Sequence, residues 1–183
     1  MRPESGARMK RRARMSSTRY GALDSGAPSA PPTRCAGAVQ ENSTRAKFDF
    51  HLTNQQGNGV RLSQWRGQVI LSVFGFTHCP SVCPTTLTNL ATIYQALSPA
   101  DRERVRIAFI SVDTHRDTPM VLQSYLSYFG PTFVGLTGSK EDIDRVTGAY
   151  GASYAFVHTP GDPPENYKVM HSSNLYLVNT EGQ

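Results

Sequence analysis

The chain has 183 residues, which corresponds to one domain of ordinary size plus an extension. Its formal charge of +5 is uneven: residues 1–45 hold nine Lys/Arg against three Asp/Glu, and residues 46–183 hold ten against eleven. The nearly neutral later part argues against a nucleic-acid-binding domain, which needs clustered basic residues on its folded surface. Three cysteines are too few for a disulfide framework, and no stretch approaches the ~20 apolar residues of a membrane span.

The first 45 residues predict a disordered leader, because they are rich in Pro, Ala, Ser and Arg and lack periodicity. Their arginine-rich, acid-poor start is similar to an organellar transit peptide, but an ordinary leader or a misassigned start is the preferred interpretation. A standard secretory signal is absent, since no apolar core follows the basic start. Cys35 lies in this leader and is interpreted as an incidental thiol. The folded domain is therefore predicted at 46–183.

Hydrophobic periodicity within this domain predicts strands that alternate with helices. An opening β-hairpin is expected at 48–62, with Gly57-Asn58-Gly59 as its turn. Further strands are predicted at 69–76, 105–112, 133–136, 154–157, 167–170 and 174–178. Helices with apolar stripes are predicted at 84–98, 119–130 and 139–150. This order predicts an α/β domain with a mixed sheet that is flanked by helices on both faces.

The cysteines Cys79 and Cys83 lie where the apolar strand 69–76 ends and a helix begins. A separation of four residues is close to one helical turn, so both thiols can face the same way, roughly 6 Å apart. The free N–H groups at a helix start lower a thiol pKa and favour the thiolate. A thiolate is both a nucleophile and a soft metal ligand, so chemistry is expected here, with idle thiols as the alternative. A strand that ends in such a pair, together with a late hairpin, indicates a thioredoxin-like architecture.

Three segments resemble the signatures of one family. Residues 76–84 are similar to FTxCPxxCP, residues 111–119 to SVDPxRDTP, and residues 171–178 to HSxxxYLV. Together they resemble the Sco/SenC family, which comprises copper-binding proteins needed to build the dinuclear copper centre of cytochrome c oxidase. The resemblance covers about 46–183, and it implies that copper is bound by Cys79, Cys83 and His171.

Two thiolates and one imidazole form a soft set of three ligands, which suits copper(I) and, with added oxygen ligands, copper(II). Zinc in a structural site would need a fourth protein ligand, and the sequence has no second cysteine pair. In thioredoxins a cis-proline lies beside the reactive cysteines, at about the place of His171, but 170–175 contain no proline. A ligand in place of that proline favours metal binding over simple disulfide exchange.

Other polar residues near these motifs have more than one interpretation. His78 is expected to be an exposed neighbour that promotes the thiolate form of Cys79. Asp113 either steers His171 or a nearby Lys or Arg, or it only caps its loop, together with Asp117. His115 and His158 are expected on the surface. The strand that follows His171 is expected near the centre of the sheet.

The resemblance implies a metallochaperone that delivers copper to cytochrome c oxidase subunit II and is itself loaded by a copper donor chaperone. The alternative is a thiol–disulfide reductase that keeps the oxidase's copper-ligand cysteines reduced, with Cys79 attacking and Cys83 resolving the mixed disulfide. Whether the protein is an enzyme therefore stays open. The expected location is outside the cytoplasm, at the periplasmic face of a bacterial inner membrane or in the mitochondrial intermembrane space.

The chain departs from the family pattern in three places. Thr114 stands where the family usually has Pro. The family's usual membrane anchor is missing, although membrane association is expected for the family. The chain also ends where the family continues into a further helix, so one sheet face is expected to expose apolar side chains.

Overall fold

A computed structural model describes residues 49–161 and 163–183. The predicted leader, Cys35 and the first residues of the predicted domain lie outside the described residues. The strands are β1 His51–Asn54, β2 Gly59–Arg61, β3 Val69–Gly75, β4 Val105–Ser111, β5 Phe133–Thr137, β6 Tyr154–His158, β7 Tyr167–His171 and β8 Leu175–Val178. The helices are α1 Val82–Ala96, α2 Pro99–Arg104, α3 Pro119–Ser127 and α4 Lys140–Tyr150, with a short 3-10 turn at Leu62–Trp65.

Six strands form one mixed sheet in the order β2-β1-β5-β4-β3-β8. Strands β3, β4 and β5 are parallel, whereas β1 runs antiparallel to β5 and β8 runs antiparallel to β3. Strands β6 and β7 pair with each other as a separate antiparallel hairpin. Parallel strands end at the same edge of a sheet, so the segments after β3 and β4 are neighbours.

Alternation along the central strands places apolar side chains on both faces of the sheet. In β4, Ile107 and Phe109 pack with the buried residues of α1 and α3. Ala108 and Ile110 instead pack with α4 and the 3-10 turn. Both faces are thus covered, which confirms the predicted thioredoxin-like α/β sheet and its opening hairpin.

Two elements differ from the expectation. Ser98 and Pro99 were predicted to end a helix, and they also begin α2, where Asp101 N–H donates to Ser98 Oγ at 3.2 Å. A serine followed by proline is a common helix start, so the sequence carried this signal. The strand after His171 was expected near the sheet centre, but β8 is the outermost strand, paired only with β3 in the described part of the chain. Because β8 has a neighbouring strand on one side only, it forms one edge of the sheet.

One face of β8 carries exposed apolar side chains, as the resemblance predicted. Leu175 and Leu177 are opposite Val73 and Leu71 of β3, so they share the face that α1 covers. They are 48% and 59% exposed.

Across residues 49–161 and 163–183, none of the helices combines the length and the apolar character that crossing a bilayer requires.

Gly75, the last residue of β3, lets the sheet approach the first turn of α1. A Cβ atom at this position would lie 2.7 Å from Phe109 Cε2 and 2.9 Å from Cys83 Sγ. Both distances are shorter than a side chain tolerates, and neither the ring nor the thiol is at the end of a flexible chain. The closeness of Cys83 to the sheet therefore depends on a glycine here.

We expect Gly75→Ala to lower the free energy of unfolding by about 1–3 kcal/mol, because the added methyl group displaces Phe109 and Cys83. Gly148→Ala in α4 is the matched control: its Cβ meets nothing within 4 Å, and alanine in a helix should stabilise by about 0.5–1 kcal/mol. Urea unfolding of the reduced chain measures both changes. Equal stability of Gly75→Ala and wild type would contradict this account.

Candidate metal centre

The two predicted cysteines lie at the junction of β3 and α1. After β3 ends, a turn closes as Cys79 N–H donates to the carbonyl oxygen of Phe76 at 3.3 Å. Cys83 follows in the first turn of α1. Both side chains are buried, with exposed fractions of 8% for Cys79 and 5% for Cys83. The strand-to-helix junction thus places both thiols at one end of the sheet, as predicted.

The sulfur of Cys79 takes over the role of a helix cap. Ser81 occupies the cap position, but its side chain accepts no capping hydrogen bond. Instead, Cys83 N–H donates to Cys79 Sγ at 3.4 Å. A negatively charged sulfur is favoured at this place, because the backbone N–H groups of a helix start are unsatisfied and carry partial positive charge.

The two thiols therefore have different acidities. Burial raises the pKa of Cys79, but hydrogen bonds from the backbone of Cys83, Ser81 and Val82 outweigh it, so the pKa lies below its ordinary value. Burial raises the pKa of Cys83 to about 12, and the adjacent Cys79 adds to this rise. At neutral pH the negative charge of a singly ionised pair resides on Cys79.

His171, the last residue of β7, lies against this pair although it is 88 residues from Cys83. Its Nε2 atom is 3.5 Å from Cys83 Sγ. Its Nδ1 atom is 2.9 Å from the carbonyl oxygen of Ser172. A carbonyl oxygen only accepts, so Nδ1 carries a hydrogen, and in the neutral imidazole Nε2 then presents its lone pair to the thiols. The Phe76 ring meets the imidazole edge to face, with centroids 5.7 Å apart.

The three potential ligand atoms, Sγ of Cys79, Sγ of Cys83 and a ring nitrogen of His171, all lie within 4.8 Å of one another. Among the described residues, this is the only group of three or more His, Cys, Asp or Glu side chains gathered so closely. Bonds of ~2.3 Å to sulfur and ~2.0 Å to nitrogen, as found in zinc sites, span up to about 4.6 Å across one ion. The group is therefore close to the size that a single metal ion needs.

His78 lies outside this group. Its side chain is 56% exposed, and its Nδ1 atom is 3.1 Å from Thr77 Oγ1 and 3.9 Å from the carboxylate of Asp117. His78 is exposed, as predicted, and the leading influences on the pKa of Cys79 are burial and the backbone donors of the helix start. His115 and His158 are exposed, as predicted.

Asp117, in the loop that follows β4, holds the segment before Cys79. Its buried carboxylate accepts from Thr77 N–H at 2.9 Å, from Thr77 Oγ1 at 2.6 Å and from Ser111 Oγ at 2.6 Å. Removing such an acceptor would leave these donors without a partner in the protein. Asp117 therefore caps the loop of the thiols from the neighbouring strand end.

Asp113 faces β7, the strand that carries His171. Its buried carboxylate accepts from Arg116 Nε at 2.5 Å and from the hydroxyl of Tyr167 at 2.7 Å, and from Arg116 N–H at 3.3 Å. Both interpretations of Asp113 thus hold in part: it caps its own loop, and it pairs with a nearby arginine. It makes no hydrogen bond to His171 among the described contacts.

Two residues near the imidazole were not predicted from the sequence: Ser172, whose carbonyl oxygen accepts from His171, and Tyr167, which lies on the same strand as His171. Tyr167 precedes His171 by four residues on β7, so the strand period of two places both on one face. Ser172 N–H donates to the carbonyl oxygen of Ser153 at 2.9 Å, and Ser153 N–H donates to Ser172 Oγ at 2.9 Å. The strand period could have indicated Tyr167, whereas nothing local indicates Ser153.

We expect iodoacetamide to modify Cys79 before Cys83 in the reduced, metal-free chain, because only thiolates react and each pKa unit changes the thiolate fraction about tenfold. The rate at Cys79 should level off below pH 9.0, while the rate at Cys83 should keep rising toward pH 12. Peptide mass spectrometry of a Cys35→Ser variant measures both rates without the third thiol. Equal rates in the folded chain, or a faster Cys83, would contradict the assignment.

The comparisons with known proteins agree with these motifs. The family model described as SCO1/SenC matches residues 38–183. A SCO2-like protein of Rickettsia conorii is 37% identical over 145 residues, which cover 79% of this chain and 70% of that protein. The human protein called SCO1 homolog, mitochondrial, is 36% identical over 135 residues, which cover 73% of this chain and 44% of that protein.

Solved structures show the same fold. Bradyrhizobium japonicum ScoI, described with copper bound, superposes with a TM-score of 0.67 at 38% identity, covering 74% of this chain and 83% of its own. BsSco, described as a member of the Sco family of cytochrome c oxidase assembly proteins with a disulfide switch, has a TM-score of 0.52 at 27% identity. That match covers 73% of this chain and 77% of BsSco. Since the family model spans most of the sequence and the folds agree, this chain belongs to the SCO1/SenC family.

Proposed function

We propose that this protein is a copper metallochaperone that binds one copper ion through Cys79, Cys83 and His171. The observation that carries the proposal is the cluster of two sulfurs and one imidazole nitrogen within 4.8 Å. Two thiolates and one imidazole favour copper(I) over hard cations, and a structural zinc site would need a fourth protein ligand. The copper bound in Bradyrhizobium japonicum ScoI supports the choice of metal.

The local geometry suits a cargo that must be bound and later released. Ser172 accepts the hydrogen of His171 Nδ1, which fixes the tautomer and directs Nε2 toward the sulfurs. The thiolate of Cys79 is stabilised by backbone donors, so it is available as the first ligand for an incoming ion. Cys83 lies deeper and gives up its proton when it binds the metal.

The proposed acceptor is the dinuclear copper centre of cytochrome c oxidase subunit II, and the proposed source of the ion is a copper donor chaperone. The assignment of BsSco to the cytochrome c oxidase assembly proteins supports a role in the assembly of that enzyme. The proposed location is outside the cytoplasm, at the periplasmic face of a bacterial inner membrane. The mitochondrial intermembrane space is the alternative, which the mitochondrial human relative supports.

A second candidate function, thiol–disulfide reductase, is favoured by the unequal acidity of the two thiols. The thiolate of Cys79 would attack a substrate disulfide and form a mixed disulfide, releasing one substrate thiol. Cys83 would then lose its proton and attack Cys79 Sγ, which releases the second substrate thiol and leaves a Cys79–Cys83 disulfide. The substrate would be the copper-ligand cysteines of the oxidase, and His171 would have no part in the reaction.

We expect the reduced full chain to bind one copper(I) ion per molecule, as measured by competition with a chromophoric chelator under anaerobic conditions. Cys79→Ser and Cys83→Ser should abolish binding, and His171→Ala should weaken it by at least about 100-fold, because losing a ligand costs more than losing a group that only orients one. Cys35→Ser and His158→Ala are the matched controls and should bind as wild type. Less than half an equivalent bound to wild type, or unchanged affinity in His171→Ala, would refute the chaperone proposal.

A peptide disulfide with two cysteines spaced as copper ligands tests the reductase candidate. If it is correct, the reduced chain opens the disulfide, Cys79→Ser loses this activity and His171→Ala keeps it. Cys83→Ser should accumulate the mixed disulfide through Cys79, which mass spectrometry detects. No reduction by wild type, or equal loss in the Cys79 and His171 variants, would eliminate a separate reductase function.

A further inference from the structure

The strand that carries His171 lies outside the six-stranded sheet. In the described part of the chain, β7 pairs only with β6, and Tyr154 is the partner of His171 in this hairpin. The cysteines instead belong to the junction of β3 and α1, where they pack into the core of the sheet. The backbone pairing of the main sheet resumes at Leu175, four residues after His171, so it brings His171 near the end of β3 but does not by itself set its distance from the thiols.

Contacts at both ends of β7 supply this missing constraint. At the end of β7 nearest His171, the paired hydrogen bonds between Ser172 and Ser153 hold the hairpin closed. At the other end, Tyr167 contacts the loop after β4 through the hydroxyl hydrogen bond to Asp113. The second set of contacts connects β7 to the loop after β4, in addition to the contacts that His171 makes with Cys83 and Phe76.

Tyr167 is held by three different interactions. Its hydroxyl donates to Asp113 Oδ1 at 2.7 Å. The guanidinium carbon of Arg116 lies 4.0 Å from the centroid of its ring, a favourable cation–π distance. Its carbonyl oxygen accepts from Arg116 Nη1 at 3.4 Å. The ring, the hydroxyl and the backbone of one residue are thus all engaged by the same loop.

The loop side of this arrangement is rigid. The Asp113 side chain is fully buried, and it accepts from Arg116 Nε at 2.5 Å, so the charge is paired within the loop. Asp113 N–H donates to Ser111 Oγ, and Ser111 Oγ donates to Asp117, the residue that caps the segment before the thiols. The contacts of Tyr167 and the loop of the cysteines are therefore connected through a few hydrogen bonds.

The connection continues along β7 to the imidazole. Tyr167 and His171 share one face of the strand, with Val169 between them. Phe156 packs edge to face against Tyr167, with centroids 5.1 Å apart, and it is the cross-strand partner of Val169.

Burial and donation to Asp113 raise the pKa of Tyr167 to about 12, so its hydroxyl stays protonated and continues to donate near neutral pH.

We propose that Tyr167 and Arg116, anchored on Asp113, are positioning residues that set the place of His171 against the two thiols and thereby the strength of copper binding. They touch neither the metal nor the thiols and act only through His171. The inference rests on the proposed copper function, and it predicts a specific dependence: contacts at Tyr167 matter for copper only while the imidazole is present.

The test uses Tyr167→Phe, which removes one hydroxyl and leaves the ring in place for Phe156 and Arg116. We expect copper(I) affinity of the full, reduced chain to fall by about tenfold, the lower end of the range for groups that orient a metal ligand. Arg116→Gln, which removes the cation and keeps a side chain of moderate length, should also lower the copper(I) affinity. Tyr94→Phe is the matched control, because its hydroxyl bonds to Arg102 in α2, away from β7.

The second part of the test repeats Tyr167→Phe in a His171→Ala background. If Tyr167 acts through the imidazole, the two losses are not additive, and the double variant binds copper as weakly as His171→Ala alone. A hydroxyl that only supports overall stability would lower the melting temperature in both backgrounds and would leave the copper affinity of the wild-type background unchanged.

A metal-free readout separates this inference from the copper function. The His171 ring protons lie beside the Phe76 ring, so their NMR shifts report where the imidazole sits. In the reduced chain without metal, Tyr167→Phe should shift these resonances, and Tyr94→Phe should not. If wild type binds copper and His171→Ala binds it more weakly, while Tyr167→Phe and Arg116→Gln match wild type in affinity and shift, the positioning role is overturned and the chaperone function stands. If His171→Ala binds copper like wild type, the copper function itself fails.

Discussion

The site depends on two buried carboxylates in the loop after β4. Asp117 holds the segment that leads into Cys79, and Asp113 holds the hydroxyl of Tyr167 on the strand that leads to His171. Both side chains are fully buried, so each must have its acceptor atoms occupied by donors. Their partners come from the segment after β3, from the end of β4, from the loop itself and from the separate hairpin. One short loop therefore bonds to both parts of the chain that supply the proposed metal ligands.

One loop can supply both carboxylates to the site because adjacent parallel strands end at the same edge of the sheet. Strands β3 and β4 are adjacent and parallel, with Gly75 opposite Ser111, so the loops that follow them meet. Asp117 lacks an arginine or lysine partner among the described contacts and is satisfied by hydroxyl and amide donors, whereas Asp113 is paired with Arg116. A buried charge is tolerated in either way, provided that the donors are held in place.

The three proposed ligands come from two parts of the fold with different attachments. Cys79 and Cys83 belong to the core at the start of α1, and Cys83 approaches the sheet closely because Gly75 has no side chain. His171 belongs to a two-stranded hairpin that side chains attach to the rest. Under the proposed function, the two cysteines are the ligands whose positions the core fixes. The third ligand, His171, lies on a hairpin whose position side-chain contacts can adjust.

Local patterns in the sequence determined the elements and the dithiol. Apolar runs and alternation predicted the strands, and the four-residue spacing of Cys79 and Cys83 at a strand end predicted thiols that face together at a helix start. These features depend on neighbours within one or two turns, so they can be read without knowing the fold. The start of α2 at Ser98-Pro99 was equally local and was overlooked.

Only the tertiary structure decided which distant residues meet. No periodicity relates His171 to Cys83 across 88 residues, or Tyr167 to Asp113 across 54, and the resemblance alone linked the histidine to the thiols beforehand. The edge position of β8 likewise follows from its pairing with β3 rather than from its apolar composition, which is typical of a central strand as well. The role of Cys79 as a helix cap also appeared only in three dimensions, since it depends on the direction of one N–H group. Local sequence thus determined the elements and their chemistry, while packing between elements determined the geometry that the chemistry requires.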